Sequence, residues 1–130
     1  MNIEQPEQLK SPSAVMDARV LYATLCILNE NGGTLPRTEM VDLVEKRITP
    51  TDWEKELVEV SGEVRWISAL NFRSIDFVKS GYLEKNRGVW NITSDGIDAL
   101  ELGEVDLFLT AKKKYKEWRD GRVSPKVKKK

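Results

Sequence analysis

The sequence predicts an α+β domain that is mainly α. Three observations predict it. Apolar residues recur at three- and four-residue spacing through several long segments, which is the helical period. Near residue 82 the pattern switches to two short alternating runs around a glycine turn, which is the signature of a hairpin. At 130 residues, with 40% apolar and 32% charged side chains, the chain can bury one hydrophobic core without metals or disulfides.

Residues 1–13 read as a polar, disordered leader without the apolar stretch of a signal peptide. Ser13 is placed to cap a helix over residues 14–31. Val15, Ala18, Leu21, Tyr22, Leu25, Cys26 and Leu28 form its expected inward stripe. Asn31-Gly32-Gly33 stops it. Thr34-Leu35-Pro36 reads as an extended connector. Thr38 can cap a second helix over residues 39–47, with Met40, Val41, Leu43, Val44 and Ile48 inward. Thr49-Pro50-Thr51-Asp52 carries a helix-start pattern and predicts a short helix over residues 53–58, broken at Ser61-Gly62. Residues 63–80 form a long helical pattern. Trp66, Ile67, Leu70, Ser74, Ile75, Phe77 and Val78 fall on one side, and Arg65, Ser68, Ala69, Phe72, Arg73, Asp76 and Lys79 on the other. After Gly81, residues 82–93 form the hairpin, with its turn at Lys85-Asn86-Arg87-Gly88. Thr93-Ser94-Asp95 can cap a helix over residues 96–102, and a last helix runs from Glu104 to Arg119. The core domain is therefore expected over residues 14–103, the extra helix over 104–119, and a basic disordered tail over 120–130.

Composition excludes several chemistries. There is no histidine and one cysteine, Cys26. The commonest general base and metal ligand are missing, as are the partners for zinc sites and Cys/His or Ser/His nucleophiles. No metal, cofactor or enzymatic activity is expected. Cys26 sits among Leu25, Ile27 and Leu28 and reads as a buried structural thiol, consistent with a reducing cytoplasm. No apolar run approaches the roughly 20 residues of a membrane span. Net charge is zero, but its distribution is uneven. Residues 1–60 hold 11 acidic and 6 basic side chains, a balance of −5; residues 61–130 hold 10 and 15, a balance of +5. That asymmetry either marks a face for a polyanion or reflects the lysine-rich C-terminus alone.

Helices followed by a hairpin form the winged helix-turn-helix topology. There, the helix before the hairpin enters the DNA major groove and the hairpin is the wing. Arg65, Ser68, Phe72, Arg73 and Lys79 on that helix are candidate DNA contacts, as are Lys85, Asn86 and Arg87 at the wing turn. Arg65, Arg73 and Lys79 suit phosphates or guanine edges, Ser68 a phosphate, and Phe72 a thymine methyl or a displaced base. Each has a plainer reading: solvated helix charges, turn chemistry at Asn86-Arg87-Gly88, and Phe72 packed under the terminal helices. Asp76 among the cations opposes phosphate. Trp66, Trp90 and Trp118 read as core anchors.

The stretch Leu70-Asn71-Phe72-Arg73-Ser74-Ile75-Asp76-Phe77-Val78-Lys79-Ser80-Gly81-Tyr82-Leu83 is followed by Arg87-Gly88-Val89-Trp90-Asn91-Ile92-Thr93 and then Gly96. Over about residues 14–103, this resembles the N-terminal winged-helix domain of Mrr-type restriction proteins. The shared residues are mainly structural: Gly81 and Gly88 at turns, Trp90 in the core, Thr93 as a cap. The resemblance implies a module that targets double-stranded DNA, modified DNA included, in restriction or phage defence. In that family the module is usually joined to a nuclease of the PD-(D/E)xK type. No Glu or Asp here has a Lys two residues later, so the nuclease would be a separate partner or a fused segment. Two other readings stay open: a protein-interaction module dimerising through residues 104–119, and a transcription regulator.

Overall fold

A computed structural model describes residues 9–123. Residues 1–8 and 124–130, with much of the expected leader and tail, lie outside the described residues. The order is α1 (Pro12–Glu30), β1 (Thr34–Pro36), α2 (Arg37–Ile48), β2 (Leu57–Val58), β3 (Glu63–Val64) and α3 (Arg65–Lys79). Then follow β4 (Leu83–Asn86), β5 (Val89–Ile92), α4 (Ser94–Ala99), a 3₁₀ turn (Leu100–Leu102) and α5 (Glu104–Val123). The architecture is the expected winged helix with an added C-terminal helix.

The cap of α1 is Ser11, not Ser13: its Oγ accepts from the Ala14 N–H at 3.0 Å, and Pro12 opens the helix. The inward stripe is wider than expected. Met16, Val20, Ala23, Thr24 and Ile27 are buried alongside Ala18, Leu21, Leu25 and Leu28. Val15 is exposed, and Tyr22 and Cys26 are only half-buried. The reason is that α2, α3, α5 and β5 all pack on α1. A helix with neighbours on several sides has no single stripe.

Two ion pairs leave α1 in different directions. Arg19 donates to both carboxylate oxygens of buried Glu54, at 3.0 and 2.6 Å. Arg73 Nε of α3 donates to Oδ2 of buried Asp17 at 3.1 Å. Residues 17 and 19 lie about 200° apart around a helix, so one pair anchors α3 and the other the 51–56 turn.

That turn replaces the short helix expected over residues 53–58. Thr49 ends α2 in the left-handed conformation (φ 48°), so it closes a helix where the sequence pattern suggested an opening. Thr51 and Glu54 do form a reciprocal capping box: Thr51 N–H donates to Glu54 Oε1 at 2.9 Å, and Glu54 N–H to Thr51 Oγ1 at 3.2 Å. A single turn follows, and then the chain enters the β2–β3 hairpin, which takes Glu63 and Val64 out of the expected long helix. Similarly, α2 begins at Arg37 with no side-chain cap, so Thr38 does not serve as one.

Thr34-Leu35-Pro36 is a strand, not a connector. The sheet order is β1-β5-β4, antiparallel throughout, with Leu35 opposite Trp90 and Leu83 opposite Ile92. The wing turn is the two residues Arg87 and Gly88, with φ of 54° and 82°. Positive φ at both positions is the hairpin turn whose twist matches its strands. Thr93 caps α4 as expected, its Oγ1 accepting from Gly96 N–H at 2.9 Å. Trp66 and Trp90 are core residues; Trp118 is half-buried, on α5, rather than a core anchor.

Two stability predictions follow from these contacts. A Cβ at Gly96 would stand 2.3 Å from the Tyr82 carbonyl oxygen and 2.8 Å from Ile92 Cγ1. Gly96→Ala should therefore destabilise by about 1–3 kcal/mol in denaturant unfolding. Arg19→Met strands the Glu54 carboxylate and should cost about 3 kcal/mol. A loss under about 1 kcal/mol would mean that Glu54 is satisfied without Arg19.

Candidate nucleic-acid interface

The outer face of α3 is turned from where the sequence places it. Phe72 is 64% and Ile75 40% exposed, whereas Asp76 is only 7% exposed. Ile75 was expected inside and Asp76 outside. The physical cause is α5, which packs against α3 on the Arg73–Asp76 flank and covers it. The face that remains open carries Ser68, Phe72, Ile75 and Lys79.

The candidate residues divide by what holds them. Arg65, at the first position of α3, is half-buried. It donates to the Trp53 carbonyl and to Glu56 Oε1, and lies over the Trp53 ring at 4.4 Å. The first two amides of α3 are also occupied, donating to the Glu56 and Glu54 carbonyls at 2.8 and 3.0 Å. With its amides taken and Arg65 paired to Glu56, this end of the helix does not invite a phosphate. Arg73 is held by Asp17. Ser68 is half-buried, and Phe72 is the most exposed of the set on α3. Lys79 is exposed at the other end, with Nζ 4.5 Å from the centroid of the Trp118 ring.

On the wing, Asn86 and Arg87 are exposed at the turn. Lys85 is exposed too, but its ammonium turns back against the domain. Its Nζ donates to Oγ of fully buried Ser74 at 2.6 Å and lies 4.4 Å from the Trp90 ring centroid. Burial, with Arg37 nearby, holds the Lys85 ammonium below the ordinary lysine range. Strand alternation carries this signal, because Lys85 shares a face with Leu83 and pairs across the hairpin with Trp90.

Sequence reasoning missed Arg37. Its backbone N–H donates to the Gly88 carbonyl of the wing turn at 2.8 Å, and its side chain donates to Asn71 of α3. Arg37 thus bridges the wing turn and the middle of α3. The sequence offers only a cation after Pro36, with no periodic signal. The other side of α3 faces a groove of about 570 Å³, lined by Phe72, Arg73, Ile75, Asp76 and the α5 residues Lys112, Lys113, Tyr115, Lys116 and Arg119. Burial raises the Asp76 carboxyl above the usual range, opposed by Arg73 and Lys112. Burial raises Asp17 as well, opposed chiefly by Arg73. The open face of α3 therefore lies between two cationic margins: Arg37 and Arg87 on one side, and the α5 lysines on the other.

Residues 18–102, about two thirds of the chain, match the Mrr N-terminal domain family. The chain belongs to that family. Membership associates the chain with Mrr-type restriction systems. Comparison with curated proteins and with solved structures gives no match. In this Mrr N-terminal domain, α5 lies beyond the matched range, although it packs on α1 and α3. Among the described residues no group of three His, Cys, Asp or Glu side chains is arranged to hold a metal ion. No helix among them is long and apolar enough to cross a membrane.

Removing Arg73 leaves two buried carboxyls without their main cation. Arg73→Ala should cost about 3 kcal/mol at neutral pH. Burial holds both the Asp17 and Asp76 carboxyls above the ordinary aspartate range, so the native state binds more protons than the unfolded one just above that range. Stability from this pair therefore falls as pH rises through that window and returns as pH falls. The Arg73→Ala deficit should shrink on acidification toward pH of about 4. A deficit that stays constant or grows on acidification would show that Arg73 does not act on these carboxyls.

Proposed function

We propose that the domain binds double-stranded DNA and serves as the targeting part of a restriction or phage-defence system, without catalysing a reaction itself. The observation that supports this best is the open outer face of α3, bounded by the cationic wing turn and the cationic α5. In the winged-helix arrangement that helix enters the major groove while the wing meets the backbone. Ser68, Phe72, Asn71 and Lys79 lie where base edges and phosphates would pass. Arg37, Asn86 and Arg87 lie at the wing, with Arg37 added to the sequence-derived set. Arg65, Arg73 and Lys85 act first as structural clamps, by virtue of their partners. A nuclease partner, fused or separate, would supply the cleavage chemistry. The domain acts where that nuclease acts, in the cytoplasm.

A homodimer through residues 104–119 is less well supported. Leu107, Phe108 and Ala111 are buried in the chain's own core, and the residues left outside are largely lysines that would repel a second copy.

The test is titration of a labelled duplex, with fluorescence anisotropy read at several salt concentrations. Lys79→Ala and Arg87→Asn should each weaken binding about fivefold, irrespective of sequence, and lower the salt slope by about 0.9 per lost phosphate contact. Asparagine at 87 keeps the left-handed turn intact. No salt-dependent binding to any duplex, modified or unmodified, would overturn the reading.

A further inference from the structure

The groove between α3 and α5 holds a buried carboxyl that the duplex reading leaves unused. Asp76 lines it and is 93% buried by the 7% exposure of its surface. Its carboxyl has no hydrogen bond or ion pair among the described residues; Arg73 and Lys112 act on it only at a distance. A buried carboxyl without a donor is costly, and natural proteins rarely leave one so unless something else supplies the donor. Phe72 lies one helical turn earlier on α3, next to Asp76 on the groove side, and is 64% exposed. Across from them, Lys112, Tyr115, Lys116 and Arg119 recur at helical spacing on one face of α5. The three cations extend about 10 Å along the helix axis. The groove is open rather than enclosed, and its 570 Å³ is the size of a small-molecule site.

We propose that this groove binds an unpaired nucleotide of a DNA strand, with the base stacked on Phe72, its exocyclic amino group donating to Asp76, and neighbouring phosphates on Lys112, Lys116 and Arg119. The proposal rests on the reading of the domain as a DNA binder. One ligand satisfies all three features: a flat ring for an exposed aromatic, an N–H donor for a bare carboxyl, and negative charge for the cations. An acidic peptide would satisfy the cations and leave Asp76 facing more carboxylate. A free mononucleotide would fill the ring and amino positions but use little of a cation row of that length. The α5 wall of the groove lies beyond the residues matched to the family, 18–102.

Anisotropy with labelled oligo-dC, whose bases carry an amino group, and oligo-dT, whose bases do not, tests it on the full chain at slightly alkaline pH. Oligo-dC should bind several-fold more tightly than oligo-dT. Phe72→Ala should weaken oligo-dC about tenfold. Lys112→Glu with Lys116→Glu should weaken both strands and lower the salt slope by about 1.4. Asp76→Asn, close in size, should erase the preference for dC, and thermal melting of each variant checks that it is folded. Deoxycytidine monophosphate should compete only at far higher concentration than the strand. Equal affinity for dC and dT, indifference to Phe72→Ala, or competition by the mononucleotide at strand-like concentration would each overturn the proposal. Duplex titration of the unmodified chain keeps the two readings apart: duplex binding without single-strand binding removes the groove alone, and the converse removes the duplex reading alone.

Discussion

Every element that shapes the interface is referred back to α1. That helix is buried on nearly all sides, and two charged residues near its start reach out in different directions. Asp17 holds α3 through Arg73, and Arg19 holds the 51–56 turn through Glu54. The Glu54 carboxyl sits below its ordinary range because Arg19 donates to it, whereas Asp17 is pushed up because burial outweighs Arg73. The two pairs are thus unlike in kind. One is a well-compensated bidentate clamp, and the other leaves a carboxylate short of compensation next to a second buried carboxyl, Asp76.

The position of α5 follows from the same core. Leu107, Phe108 and Ala111 are buried against α1 and α3, so the lysine-bearing side of the helix is fixed beside the Asp76 flank. This covers what an isolated α3 would expose, and displaces the open face toward Ile75. Two cations expected to meet a ligand, Arg65 and Arg73, are therefore occupied within the protein. A third, Lys85, turns under the wing to Ser74. The cations left for a ligand sit at the margins, on Arg37, Lys79, Arg87 and α5.

How much of this the sequence contains depends on how local the cause is. The hairpin, the Thr93 cap, the end of α3 near Gly81 and the buried Trp66 and Trp90 are written in short windows, and short windows suffice to read them. The Mrr N-terminal family match spans all of these stretches, residues 18–102. The β1 strand is defined by its pairing with β5, and the β2–β3 hairpin follows a single turn whose Glu54 is held by Arg19 from 35 residues earlier. The burial of Asp76 depends on a helix some thirty residues further along. None of these leaves a periodic trace at its own position. Lys85 is different: alternation puts it on the face of Leu83, so its ammonium can reach Ser74 although the residue itself is exposed.

The base of the wing is pinned on both sides. Tyr82 N–H donates to the Phe77 carbonyl at 2.9 Å, and the Tyr82 carbonyl accepts from Thr93 N–H at 3.1 Å. Gly96 presses its bare backbone against that same carbonyl. At the far end, Arg37 fastens the turn to α2. A β-finger clamped at root and tip cannot tilt on its own, so its spacing from α3 is settled before any ligand arrives. A double helix that engages both must itself bend, widen or twist to match. On the proposed DNA-binding reading, sequence-dependent stiffness of the ligand would then be a source of discrimination, independent of any side chain that touches a base.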